Sequence, residues 1–122
     1  MWPVWEKWTS SRAAIIKPIR MEYDKLVRDR IPEIIAENGG SCEIERVKGK
    51  EYSRYLCKKL GEKVDEFRIE HNAEDLADIL EVVFALAADI GVEECQLIDI
   101  RNKKRSNRGG FEQGIVLKKT FF

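Results

Sequence analysis

Apolar residues recur at helical spacing over most of the chain. Tyr52, Leu56, Leu60, Val64 and Phe67 trace one stripe, the pattern of an amphipathic helix with one face on a core. It predicts a helix over about residues 51–70. Gly61 lies inside it, at a cost of about 1 kcal/mol against alanine, and close helix packing would account for a glycine there. His71-Asn72 reads as a short turn. Asn72 is placed to cap a second helix over about residues 72–90, with Asp75 at the third helical position answering the cap. That helix opens on Glu74, Asp75 and Asp78, then becomes almost wholly apolar through Ile79, Leu80, Val82, Val83, Phe84, Leu86, Ala87 and Ile90. Gly91 ends it. So wide an apolar surface requires cover on more than one side.

The flanking segments are shorter. Pro32 suits the first turn of a short helix, where its missing N–H costs nothing; Ile31, Ile34 and Ile35 give that helix an apolar side and Gly39-Gly40 stops it. Residues 42–47 alternate in character, a strand pattern, and residues 115–117 (Ile-Val-Leu) form a second strand candidate able to pair with them. Between these, residues 92–104 read as a further helix with Leu97, Ile98 and Cys95 inward. The fold expected is mainly α, a bundle built on a helical hairpin, to which the two strand candidates can add a small ribbon. Residues 1–20, with Trp2, Trp5 and Trp8, have no clean period and read as an appendage. Residues 21–122 read as one domain.

Charge narrows the functional classes. Lys+Arg and Asp+Glu are both 22, so nucleic acid held by charge is not an expected partner. No apolar run approaches the roughly 20 residues of a membrane-spanning helix. The cysteines, Cys42, Cys57 and Cys95, form no C-x-x-C pair, which suits reduced thiols in a cytoplasmic protein. His71, at a helix end, reads as a partner of the helix dipole rather than a metal ligand.

The candidate chemistry is in the hairpin. Carboxylates three or four residues apart share a helix face, and two antiparallel helices can aim several at one point. Such oxygen-rich clusters suit Mg²⁺ or Mn²⁺. At about 100° per residue, positions 63 and 66 face a partner helix, whereas Glu62 points nearly opposite the stripe. Asp78 lies beyond the first turn, beside Ile79 and Leu80, where the dipole explains it less well. Arg28, Asp29 and Arg30 read either as a surface charge cluster or as the polar wall of a phosphate site. Lys103 to Arg108, followed by Gly109-Gly110, supply further donors beside a flexible backbone.

Four motifs in order, Lys25-Leu26-Val27-Arg28-Asp29-Arg30-Ile31-Pro32, Leu60-x-Glu62-x-Val64-x-Glu66-Phe67, Asp75-Leu76-Ala77-Asp78-Ile79-Leu80-Glu81-Val82 and Arg108-Gly109-Gly110-Phe111, give a chain that resembles the small MazG-like nucleotide pyrophosphohydrolases, related to phosphoribosyl-ATP pyrophosphohydrolase. The likeness covers about residues 22–117. It implies an all-α, oligomeric enzyme, a homodimer or larger, that uses Mg²⁺ (or Mn²⁺) to cleave a nucleoside triphosphate to monophosphate and pyrophosphate. It implies Glu66, Asp75 and Asp78 as metal ligands and Glu62 and Lys63 as catalytic positions, Glu62 as an outer-shell base. Arg28, Asp29, Arg30, Lys103, Arg105 and Arg108 would bind the nucleotide. Asp75 stands for a glutamate of the family's pattern, a shorter carboxylate of the same charge; the serious departure is Lys63, which stands where that pattern has a ligand glutamate. A protonated ammonium has no lone pair. Either the three remaining carboxylates hold the metal with extra waters, or Lys63 replaces the cation and the fold is a catalytically impaired nucleotide-binding or protein-interaction module.

Overall fold

The computed structural model describes residues 23–122. Among these, four helices carry the fold: α1 (Ile31–Glu37), α2 (Gly49–Glu70), α3 (Ala73–Asp89) and α4 (Glu94–Arg108). Pro32 sits in the first turn of α1. The helix ends where Gly39 takes a φ of 86° and the Gly40 N–H reaches back to Ile35 O at 3.0 Å.

The turn between α2 and α3 takes two residues. His71 adopts a left-handed conformation, φ 52°, with its N–H on Phe67 O at 2.8 Å, and its ring lies 4.9 Å from the Phe67 ring. Asn72 then takes an extended conformation and its side-chain oxygen accepts from the Asp75 N–H at 2.8 Å. So sharp a reversal forces the helices antiparallel, and the α2–α3 hairpin is the main inter-helix contact of the fold. A smaller contact joins α3 to α4. α3 ends as expected at Gly91, φ 82°, with the Val92 N–H on Ala87 O at 2.8 Å. α4 begins on a reciprocal cap between Glu93 and Gln96.

The buried face of α2 differs from the apolar stripe. Leu56 is fully buried, but Tyr52, Leu60, Val64 and Phe67 are only half-buried. The deepest line on the helix is Leu56, Lys59, Lys63 and Glu66. The hairpin interface is therefore apolar around Leu56, Val82 and Ala87 and charged toward the turn. Ion pairs inside the hairpin let the helix roll its apolar stripe to the flank. Close packing does not explain Gly61, because a Cβ there would meet nothing within 4 Å.

Three further expectations are corrected. Residues 42–47 and 115–117 form no strand, and no ribbon exists among the described residues. Ile44 is exposed and Ile115 is 81% exposed; a two-stranded ribbon with no face to bury is marginal in water. α4 runs four residues further than the pattern suggested and, of the three residues expected inward, only Leu97 is half-buried while Cys95 and Ile98 are exposed. The expectation for residues 1–20 lies outside the described residues. All three cysteines are free and exposed, and no described helix is long and apolar enough to cross a membrane.

Leu56 is 2% exposed and is the anchor of a small apolar core. Leu56→Ala is expected to cost about 2–5 kcal/mol, read as a lowered urea midpoint with unchanged slope.

Candidate functional site

Glu66 on α2 and Asp75 and Asp78 on α3 converge. One carboxylate oxygen from each lies within 4.8 Å of the others. The local reasons are plain. Position 66 is on the deep line of α2, one turn from its end, and the two-residue reversal brings the first two turns of α3 against it. Asp75 and Asp78 are three residues apart and share the face that meets α2.

The Asp75 carboxylate is 0% exposed, and neither of its oxygens has a hydrogen-bond partner. It does not answer the Asn72 cap. The cap is one-sided, its backbone N–H bond present and its return bond absent, because the Asp75 side chain turns into the hairpin instead. Burial raises its pKa above the usual carboxylate value, the negative charges of Glu70, Glu66 and Asp78 raise it further, and Lys63 partly offsets them. A buried polar group without a partner is costly, so this position is held against a local penalty.

Lys63 stands inside the cluster. Its ammonium is 3.2 Å from Glu66 Oε2 and 3.5 Å from Asp78 Oδ2, and the residue is 7% exposed. The helical-wheel expectation for position 63 holds. The second oxygen of Asp78, Oδ1, accepts from Arg28 Nη2 at 2.7 Å. A chain of charges thus runs Arg28–Asp78–Lys63–Glu66, with Asp75 beside it. Three carboxylates against two cations leave the group one formal negative charge.

Glu62 lies outside this cluster, half-buried, with Lys59 Nζ at 3.4 Å from its Oε1. Lys59 is itself buried, and burial pushes its pKa down; Glu62 opposes that shift and Lys63 adds to it. Periodicity missed Lys59 because a lysine on a buried face reads as a break in the stripe. The signal that could have found it is its spacing from Lys63 and Glu66, four and seven residues on.

The basic candidates divide. Arg28 reaches the cluster. Asp29 and Arg30 face solvent, and Arg30 pairs with Glu33 at 3.1 Å. Lys103, Arg105 and Arg108 are exposed on the last turns of α4; Arg105 pairs with Glu112 at 3.3 Å. Nothing within the described chain joins those three to Glu66, Asp75 or Asp78.

The donor set suits a hard divalent cation. Oxygens around Mg²⁺ at about 2.1 Å stand roughly 3–4 Å apart, slightly closer than the cluster here, and the Lys63 ammonium already fills part of the space. Small inward shifts of the carboxylates and an outward shift of Lys63 would let Glu66, Asp75 and Asp78 hold the ion. No protein-family model, no curated protein and no solved structure matches the chain.

Proposed function

We infer that the protein is a nucleoside triphosphate pyrophosphohydrolase dependent on Mg²⁺ or Mn²⁺, or a hydrolase of a related phosphoanhydride. The observation that carries this reading is Asp75. Its fully buried and unpartnered carboxylate beside Glu66 and Asp78 is what a cation site requires and what a purely structural hairpin would avoid. Glu66, Asp75 and Asp78 would hold the ion, which when bound supplies charge neutralisation on the phosphates and a more acidic water. Lys63, with three donors and little exposure, is placed to donate to a phosphate oxygen once it leaves the carboxylates. Glu62, one helical turn before Glu66, is the candidate proton acceptor, and Lys59 orients it. The four motifs in the order described above support the same substrate class.

The test is a screen of nucleoside triphosphates with Mg²⁺ and with Mn²⁺, following pyrophosphate. Release by the natural chain and none by Asp78→Asn is expected. No release from any triphosphate with either metal would overturn the reading.

A second reading is favoured by the ion pairs of Lys63 with Glu66 and Asp78. If the ammonium stays in place as the resident cation, the protein is a nucleotide-binding or interaction module without turnover. Its mark would be a nucleotide that raises the melting temperature equally with and without Mg²⁺.

We infer that the chain assembles through its helices. On α3, Leu80 is 51% exposed and Leu76 nearly as much; Ile69 near the end of α2 and Ile90 just after α3 are more so. A second copy of the chain would cover this face, and it would also be the means by which Lys103, Arg105 and Arg108 reach a cluster they do not reach alone. Light scattering at micromolar concentration should give at least twice the 14.2 kDa chain mass; a monomer would refute the assembly.

A further inference from the structure

We propose that Asp78 holds Arg28 and Lys63 in reserve as anion-binding groups, and that a divalent cation taken up at Asp78 releases them, so that cation binds first and a phosphate-bearing ligand second. The proposal rests on the cation site inferred above and adds to it an order and a coupling.

Both oxygens of Asp78 are already engaged by protein cations, Oδ1 by Arg28 at 2.7 Å and Oδ2 by Lys63 at 3.5 Å. Neighbouring Asp75 has neither oxygen engaged. The cluster therefore offers an arriving cation one unpartnered carboxylate, Asp75, one engaged by Lys63, Glu66, and one that must be taken from two competitors, Asp78. A divalent ion shared by Glu66, Asp75 and Asp78 uses the lone pairs on which Arg28 and Lys63 rest, and its charge repels both.

The two released side chains differ in what they can do next. The Arg28 side chain is 55% exposed and belongs to the segment before α1, so it can turn to a ligand at the mouth of the site with little change in burial. Lys63 is buried on the deep line of α2. Displaced from Asp78 and competing with the ion for Glu66, its ammonium would stand beside a divalent ion with weakened compensation, and a buried charge in that state is costly. An anion that accepts from Lys63 and Arg28 removes that cost. Cation and anion should therefore strengthen each other's binding, with reciprocal coupling. The anion chemistry is that of a phosphate oxygen, for which arginine and lysine are the usual donors.

The experiment is calorimetric titration of Mg²⁺, and of inorganic phosphate with and without saturating Mg²⁺, into the natural chain, Arg28→Gln and Lys63→Met. In the natural chain phosphate should bind at least about fivefold more tightly when Mg²⁺ is present. Arg28→Gln removes a competitor for Asp78, so Mg²⁺ alone should bind about two- to fivefold more tightly, as expected from loss of a partly exposed ion pair, while phosphate in the presence of Mg²⁺ binds more weakly. Lys63→Met should move both affinities in the same opposed directions. A merely structural role for Arg28 would weaken both ligands together. Mg²⁺ affinity unchanged or weakened in Arg28→Gln, or phosphate indifferent to Mg²⁺, would overturn the proposal while leaving the cation site standing. Absence of Mg²⁺ binding by all three chains would overturn the cation site as well.

Discussion

Lys63→Glu is expected to produce a protein that is strongly destabilised without metal and strongly dependent on it. The substitution removes the ammonium that lies 3.2 Å from Glu66 and 3.5 Å from Asp78 and places a fourth carboxylate among Glu66, Asp75 and Asp78. Breaking a buried ion pair by removing one partner costs about 3–5 kcal/mol, and crowding like charges adds to it. Without divalent ions the melting temperature should fall by more than roughly 10 °C. Mg²⁺ should then recover much of it, because a ligand of the native state stabilises by about 2.7 kcal/mol at a hundred times its Kd. Titration of Mg²⁺ should show tighter binding than in the natural chain. Asp78→Asn should abolish pyrophosphate release in both backgrounds. Equal Mg²⁺ affinity in the two forms would mean that position 63 does not compete for the site.

Asp75→Asn should have the opposite signature: a metal-free protein more stable than the natural one, and a cation site lost. The asparagine keeps the shape but removes a buried charge that has no partner. Loss of a ligand should weaken Mg²⁺ binding by more than about tenfold, since even supporting residues around a metal are worth 10–100-fold. The difference depends on pH in a definite sense. Asp75 has a folded-state pKa raised above the unfolded value of 3.8 by burial and by neighbouring carboxylates. Such a group contributes stability that is fully present below the unfolded pKa and is lost as pH rises through the folded pKa. In metal-free solution the advantage of Asp75→Asn should therefore be absent near pH 3.5 and grow toward neutrality. Urea unfolding across that range measures it. A constant difference would mean that Asp75 does not titrate abnormally. Mg²⁺ binding by the natural chain should tighten over the same range, because the ligand must be deprotonated.

Much of the fold is legible along the chain because helices are local objects. The starts and stops at Pro32, Asn72 and Gly91, the hairpin and the mainly α class follow from spacing and capping within a few residues. The inward direction of Lys63 and Glu66 follows from 100° per residue alone. Apart from the end of α4, a local boundary that runs on to Arg108, the sequence reading failed where the missing information concerned what lies across from a residue. Asp75 fits a capping box by position, yet its carboxylate turns into the hairpin, because a side chain at the third helical position can face either its own cap or the neighbouring helix. The alternation at residues 42–47 resembles a strand, but a strand needs a partner and a face to bury, and neither is present among the described residues.

The sequence by itself thus determined which segments are helical, where the chain reverses and which carboxylates share a face. Only the tertiary structure decided that Lys59 is buried, that Arg28 from a distant segment holds Asp78, that Asp75 stands unpartnered, and that the basic end of α4 does not reach the cluster within one chain. The physical reason is range. Backbone periodicity and caps act over one turn of helix, whereas burial and charge pairing depend on residues as far apart as the 50 positions between Arg28 and Asp78, which only the packed hairpin brings together.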